Sequence, residues 1–156
     1  MTDDGRLEAL DRQDCLDLLR TVSVGRLAWS DRDGRVQIRP VNFVLDPGPD
    51  PGPDTACVLV RCRDGGMLEA VRHGRPVSFE ADQLEPALRA GWSVLVVARS
   101  VTISTVTDSG DTRLPEPWAG AERPHVLRLT PETITGRRLR LVGGDISVVR
   151  LEPDRD

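Results

Sequence analysis

The segment Arg39-Pro40-Val41-Asn42-Phe43-Val44 constrains this chain most, because it places a proline inside what reads as a β-strand. Val36-Gln37-Ile38 before it and Leu45 after it alternate as a strand does. A proline there gives up a ladder hydrogen bond. The strand must therefore be an edge, a bulge, or a place where a ligand replaces the neighbour. Arg39 and Asn42 put polar groups where a core strand is apolar, and such departures from pattern gather at binding sites.

The chain has 156 residues, a length that suits one core. Its expected division is a tail over 1–6, one domain over 7–151 and a second tail over 152–156. A net charge of -4 argues against nucleic acid or an anionic membrane as a partner held by bulk electrostatics. The acidic start, Thr2-Asp3-Asp4, has no apolar stretch of signal-peptide type, and no apolar run reaches the length of a membrane span. Cys15, Cys57 and Cys62 have no metal spacing and read as buried thiols of a cytoplasmic protein. All 21 basic residues are arginine. The absence of lysine excludes a lysine Schiff base and a Walker A phosphate loop. Two histidines far apart, His73 and His125, leave little for a zinc site or a histidine triad.

Local patterns predict a helix over Leu7 to Arg20 capped by Asp11, then strands at Val24–Trp29 and Arg35–Leu45 joined by the turn Asp31-Arg32-Asp33-Gly34. The run Asp46 to Asp54, dense in proline and glycine, reads as an exposed hairpin loop. Beyond it come a strand at Thr55–Arg61, a glycine turn at Asp64-Gly65-Gly66, a short helix Met67–His73 and a strand at Pro76–Asp82. A long strand over Gly91–Val106 bends round a corner. The stretch from Asp108 to Pro124 is irregular, and Val126–Thr130, Thr133–Leu141 and Ile146–Leu151 are further strand candidates. Six or seven mostly hairpin-connected strands with two short helices predict a mainly β fold, a small antiparallel barrel. Glu80 and Asp82 share one strand face and read as solvated or arginine-paired.

Five stretches in order carry a family likeness: Val24-Gly25-Arg26-Leu27-Ala28, Arg39 to Val44, Arg61 to Leu68, Val77 to Asp82, and Gly91 to Val96. Pro117-Trp118-Ala119 and Thr135-Gly136-Arg137-Arg138 extend it. In these the chain resembles the pyridoxamine 5'-phosphate oxidase-like FMN-binding split barrels, nearest the nitroimidazole-reductase-type branch. The resemblance implies a homodimer with flavin mononucleotide (FMN) at its interface and a redox reaction on a small-molecule substrate. It implies that Arg39, Pro40, Val41 and Asn42 lie along the isoalloxazine and reach toward the phosphate. Arg61, Cys62, Gly65, Gly66 and Met67 then form the phosphate turn. Trp92 and Ser93 come from the partner subunit, and Trp118 covers the ring or ribityl chain. No residue stands out as a catalytic acid or base.

The phosphate turn departs from the family. Cys62 stands where threonine is usual, Gly66 where a hydroxyl or similar side chain is usual, and Met67 where lysine or arginine is usual. A phosphate dianion needs charged or N–H donors, and methionine has none. Backbone N–H groups of the glycine turn and Arg39, Arg61 or Arg63 are the remaining candidates. The alternatives are a deazaflavin in the site, or a non-catalytic dimer that stores such a ligand or binds none. The glycine at the turn, where the nitroimidazole branch can carry histidine, weakens any expectation of nitro reduction.

Overall fold

The computed structural model describes residues 7–48, 54–109 and 113–140. Seven strands and three helices follow one another: β1 (Leu7–Leu10), α1 (Arg12–Leu19), β2 (Val24–Ser30), β3 (Val36–Asp46), β4 (Cys57–Cys62), α2 (Gly66–Arg72), β5 (Val77–Glu85), β6 (Ala90–Thr105), α3 (Val106–Ser109) and β7 (His125–Leu139). Strand order is β1-β7-β4-β3-β2-β5-β6, and a further pairing of β6 with β7 closes six of them into an antiparallel barrel. The mainly β split barrel expected from the hairpin pattern is what the chain adopts. The tails expected at 1–6 and 152–156, and the strand expected at Ile146–Leu151, fall outside the described residues.

Barrel closure follows from alternation. Leu27 and Trp29 on β2, Val77, Phe79 and Ala81 on β5, and Trp92, Val94 and Val96 on β6 all point inward and are buried. Phe43 stacks at a tilt on Phe79 with ring centroids 4.6 Å apart. The hairpin from β2 to β3 turns at Asp31, whose carboxylate accepts from the N–H groups of Asp33 and Arg35 at 2.9 Å each. Gly34 supplies the positive φ of 77° that the turn requires.

Two elements differ from the sequence expectation. Leu7–Leu10 is a strand, paired to Gly136–Leu139, and the helix starts only at Arg12. Leucine, glutamate and alanine favour a helix locally, but pairing on β7 and the Glu8–Arg140 ion pair at 2.6 Å override that preference. Asp11 does cap the helix, accepting from the Asp14 N–H at 2.8 Å. The two strands expected on either side of Pro131 are one strand of 15 residues. It stays continuous because the register against β6 slips between Val97 and Ser100, opposite Pro131, and such a bulge is where a proline fits. A single-turn helix, α3, opens the irregular stretch after β6.

Gly25 is required by packing. A Cβ there would lie 2.3 Å from Phe79 Cζ and 2.7 Å from the Glu80 carbonyl oxygen. Neither a fully buried ring nor a ladder carbonyl can give way cheaply. Gly25→Ala should therefore lower stability by roughly 1–3 kcal/mol, read as a lower urea midpoint at unchanged slope.

Candidate functional site

Strand β3 has two halves. Phe43–Asp46 is bonded to β4 at Cys57–Val60, whereas Val36–Asn42 is bonded only to β2. Beyond Val60, β4 leaves β3 and continues along β7, with Arg61 opposite Val126 and Cys62 opposite His125. A gap opens between the first half of β3 and the end of β4. Pro40 stands on the half that has one neighbour, so the missing N–H falls where the ladder is already incomplete.

Two adjoining clefts occupy the gap, and Pro40, Val41, Arg61 and Arg123 line both. The first, of about 340 Å³, is walled by Val24 and Asn42 on one side and by Pro115, Pro117, Trp118 and Ala119 on the other. This side is apolar apart from Asn42 and the two arginines. Asn42 is committed within the protein: its side-chain oxygen accepts from the Trp118 N–H at 3.0 Å, and its amide donates to the Ser23 carbonyl at 3.5 Å. It thus fixes the 115–119 segment against β3. Trp118 itself is 76% exposed beside this cleft.

The second cleft, of about 470 Å³, runs to the glycine turn. Arg39, Arg61, Arg63 and Arg123 line it, with Gly65, Gly66, Met67 and Cys62 at the turn. None of these four arginines has a carboxylate partner among the described residues, although ion pairs are common elsewhere on the surface. Arg61 is aimed by its Nε donating to the Arg123 carbonyl at 3.2 Å. The two carboxylates in this cleft are already engaged. Asp31 serves its own turn and accepts from Gln37 at 3.0 Å, and these bonds hold its pKa below the usual carboxylate value. Asp64 is bonded to His125 Nε2 at 3.2 Å and lies 3.9 Å from Arg72. Cys62 is buried at the base of the turn, and burial, helped by the charge of Asp64, pushes its thiol up to about 11. Such a thiol is neutral and poorly nucleophilic near neutrality.

Ten of the twelve residues expected at the site come together here: Arg39, Pro40, Val41, Asn42, Arg61, Cys62, Gly65, Gly66, Met67 and Trp118. Trp92 and Ser93 do not line either cleft. Trp92 is 8% exposed and packs in the core of its own protomer, so its indole has almost no surface to offer a partner's cleft. Ser93 faces outward beside Asp82. Arg123 and Trp29 line the site and were not expected there, and His125 stands behind it against Asp64. Arg123 sits in the irregular stretch, 62 residues from the Arg61 it contacts, and no local pattern announces it. Outside the clefts, Arg26 bonds both Glu80 and Asp82 at 3.2 Å, the arginine-paired face expected for those carboxylates. No cluster of three or more metal-ligating side chains occurs among the described residues.

Comparison with known proteins agrees with this geometry. The profile of the pyridoxamine 5'-phosphate oxidase family matches residues 11–138. The uncharacterized protein Rv0080 of Mycobacterium tuberculosis is 34% identical over 133 residues, spanning 83% of this chain and 84% of that one. The crystal structure of an FAD-binding protein from Mycobacterium smegmatis superposes with a TM-score of 0.64 at 30% identity, covering 85% of this chain and 98% of that one. An FAD-binding protein from Mesorhizobium loti shares the fold, with a TM-score of 0.65 at 20% identity over 86% of this chain and 97% of that one.

The buried Cys62 thiol sets a pH dependence. Its pKa in the folded protein, about 11, lies above the 9.0 of an unperturbed thiol, so the folded state holds the proton more tightly. This contribution to stability is complete below pH 9.0 and is lost as pH rises to about 11. Denaturation midpoints should fall across that window in the wild type, and the fall should be smaller in Cys62→Ala.

Proposed function

Because the chain belongs to the pyridoxamine 5'-phosphate oxidase family, we propose that it binds a phosphate-bearing flavin, FMN, across the two adjoining clefts and works as an oxidoreductase on a small oxidised substrate. The observation that carries this reading is a largely apolar cleft adjoining, at Pro40 and Val41, a cleft lined by four arginines that have no carboxylate partner among the described residues. That pairing suits a molecule with a flat aromatic end and an anionic end. No helix among the described residues is long and apolar enough to cross a membrane. The buried free cysteines accord with a cytoplasmic setting.

The residues present fit such a guest. Pro40 and Val41 offer apolar backbone surface for the ring, and Pro117 and Trp118 close over the same space. Arg39, Arg61 and Arg63 supply the charged donors that Met67 does not. Asn42 positions the Trp118 wall, because its amide is spent on the backbone at both ends. A bound flavin supplies the redox chemistry by taking up and passing on a hydride or electrons. The protein's part is to orient the ring and exclude water. His125 Nε2 is held by Asp64 behind the glycine turn.

A homodimer belongs to this reading, and the outer face of β3, β2, β5 and β6 supports it. Val36 and Ile38 are 68% and 55% exposed, and Leu95 is 42% exposed. Ile38, Ala28 and Leu95 surround a shallow depression of about 200 Å³. Exposed apolar side chains gathered on one sheet face mark an association surface. Ile38→Arg should turn the dimer into a monomer at micromolar concentration, as measured by light scattering after size exclusion; a wild type that runs as a monomer would contradict the dimer.

Titration of the purified protein with FMN, FAD, riboflavin and a deazaflavin, followed by flavin fluorescence, tests the cofactor. Saturable FMN binding, with bleaching by a nicotinamide donor, is the expected result. A protein that binds but does not turn over supports storage or carriage; one that takes only the deazaflavin or FAD reassigns the guest. Met67→Lys should tighten FMN by about tenfold at low salt, as one added charged donor does.

A further inference from the structure

Trp29, at the end of β2, is used by neither the fold nor the flavin reading as far as its polar atom is concerned. The side chain is 7% exposed, and its indole Nε1 is buried with no hydrogen-bond partner. No other buried side-chain nitrogen or oxygen among the described residues lacks one. An indole N–H can only donate, and buried donors in folded proteins are nearly always satisfied.

Its surroundings say where a partner would come from. Trp29 lines the arginine cleft together with Arg39, Arg61, Gly65 and Gly66. A Cβ placed on Gly66 would have a single neighbour within 4 Å, and that neighbour is Trp29 Nε1 at 3.9 Å. No side chain at 66 therefore stands between the indole N–H and the turn. The carboxylates of the cleft are engaged elsewhere, Asp31 with Asp33, Arg35 and Gln37, and Asp64 with His125, and neither bonds Trp29. A ligand oxygen seated at the turn would supply the acceptor that Trp29 lacks.

We infer that the Trp29 indole N–H donates to a phosphate oxygen of the ligand held at the Gly65–Gly66 turn, in place of the hydroxyl side chain that Gly66 lacks. This rests on the reading of the cleft as the phosphate end of a flavin site. Trp29 is then a specificity residue: it recognises the phosphate oxygen of FMN and has nothing to bond in riboflavin. As a neutral donor it adds direction without charge, so its share of the binding is nearly independent of salt, unlike that of the arginines.

The test uses the full chain and its Trp29→Phe variant, which keeps an aromatic ring and removes the N–H. FMN and riboflavin are titrated at low and high salt. FMN affinity should fall by about tenfold at both salt concentrations while riboflavin affinity holds. In the ¹⁵N-labelled wild type, the Trp29 indole proton should move downfield with FMN and stay in place with riboflavin. That measurement decides the matter even if the variant fails to fold. Unchanged FMN affinity, an equal loss for both flavins, or an indole signal that FMN leaves in place would overturn the inference while leaving flavin binding intact. A wild type that binds neither flavin overturns the flavin reading instead. Inorganic phosphate then serves as the probe: a shift of the Trp29 signal upholds the anion donor, and no shift removes it.

Discussion

The parting of β4 from β3 after Val60 is the constraint on which the rest of the structure depends. Inside the barrel every strand has two neighbours, and backbone N–H and C=O groups are spent on the ladder. Where β4 turns to follow β7, the first half of β3 keeps only β2, and its other side is left for something else. The proline at 40, the polar residues at 39 and 42 and the glycine turn after β4 all lie on the rim of that opening. A strand that stayed paired to β4 along its whole length would leave no room for either cleft.

The opening stays rigid because its rim is tied to the core. Val41 shares its face with Phe43, which is buried on Phe79, and Arg61 continues directly from the buried run Val58-Leu59-Val60. The covering segment is joined to the barrel by its own contacts. Trp118 N–H bonds Asn42, Arg61 Nε bonds the Arg123 carbonyl, and the Val106 N–H bonds the Pro124 carbonyl at its far end.

Much of this was legible in the residues. The Asp31–Gly34 turn, the Asp11 cap and the misplaced proline each have a local cause, and each stands where that cause puts it. The failures have physical reasons as well. Leu7–Leu10 prefers a helix by itself and is a strand because β7 offers an edge. The strand through Pro131 looked broken because its continuity depends on register slips against β6, more than 30 residues away. Trp92 was assigned to a partner on the strength of the resemblance, yet it stands in phase with Val94 and Val96, all three buried. The alternation along β6 already carried that signal. Arg123 and His125 are brought to the turn only by β7 lying beside β4, and Trp29 only by β2 lying beside β3.

Electrostatics decides between a purposeful cleft and an accidental one. The chain as a whole carries a net charge of -4, so a randomly chosen patch should be acidic. The cleft at the glycine turn instead holds four guanidinium groups against two carboxylates, a surplus of two positive charges. Like charges crowded together repel, and neighbouring acids usually relieve them, as Glu80 and Asp82 do for Arg26. Here the acids within reach are turned away, Asp31 into its own hairpin and Asp64 toward His125 and Arg72. A surplus left standing in that way is balanced when a doubly charged anion enters, about the charge that a phosphate monoester carries near neutral pH.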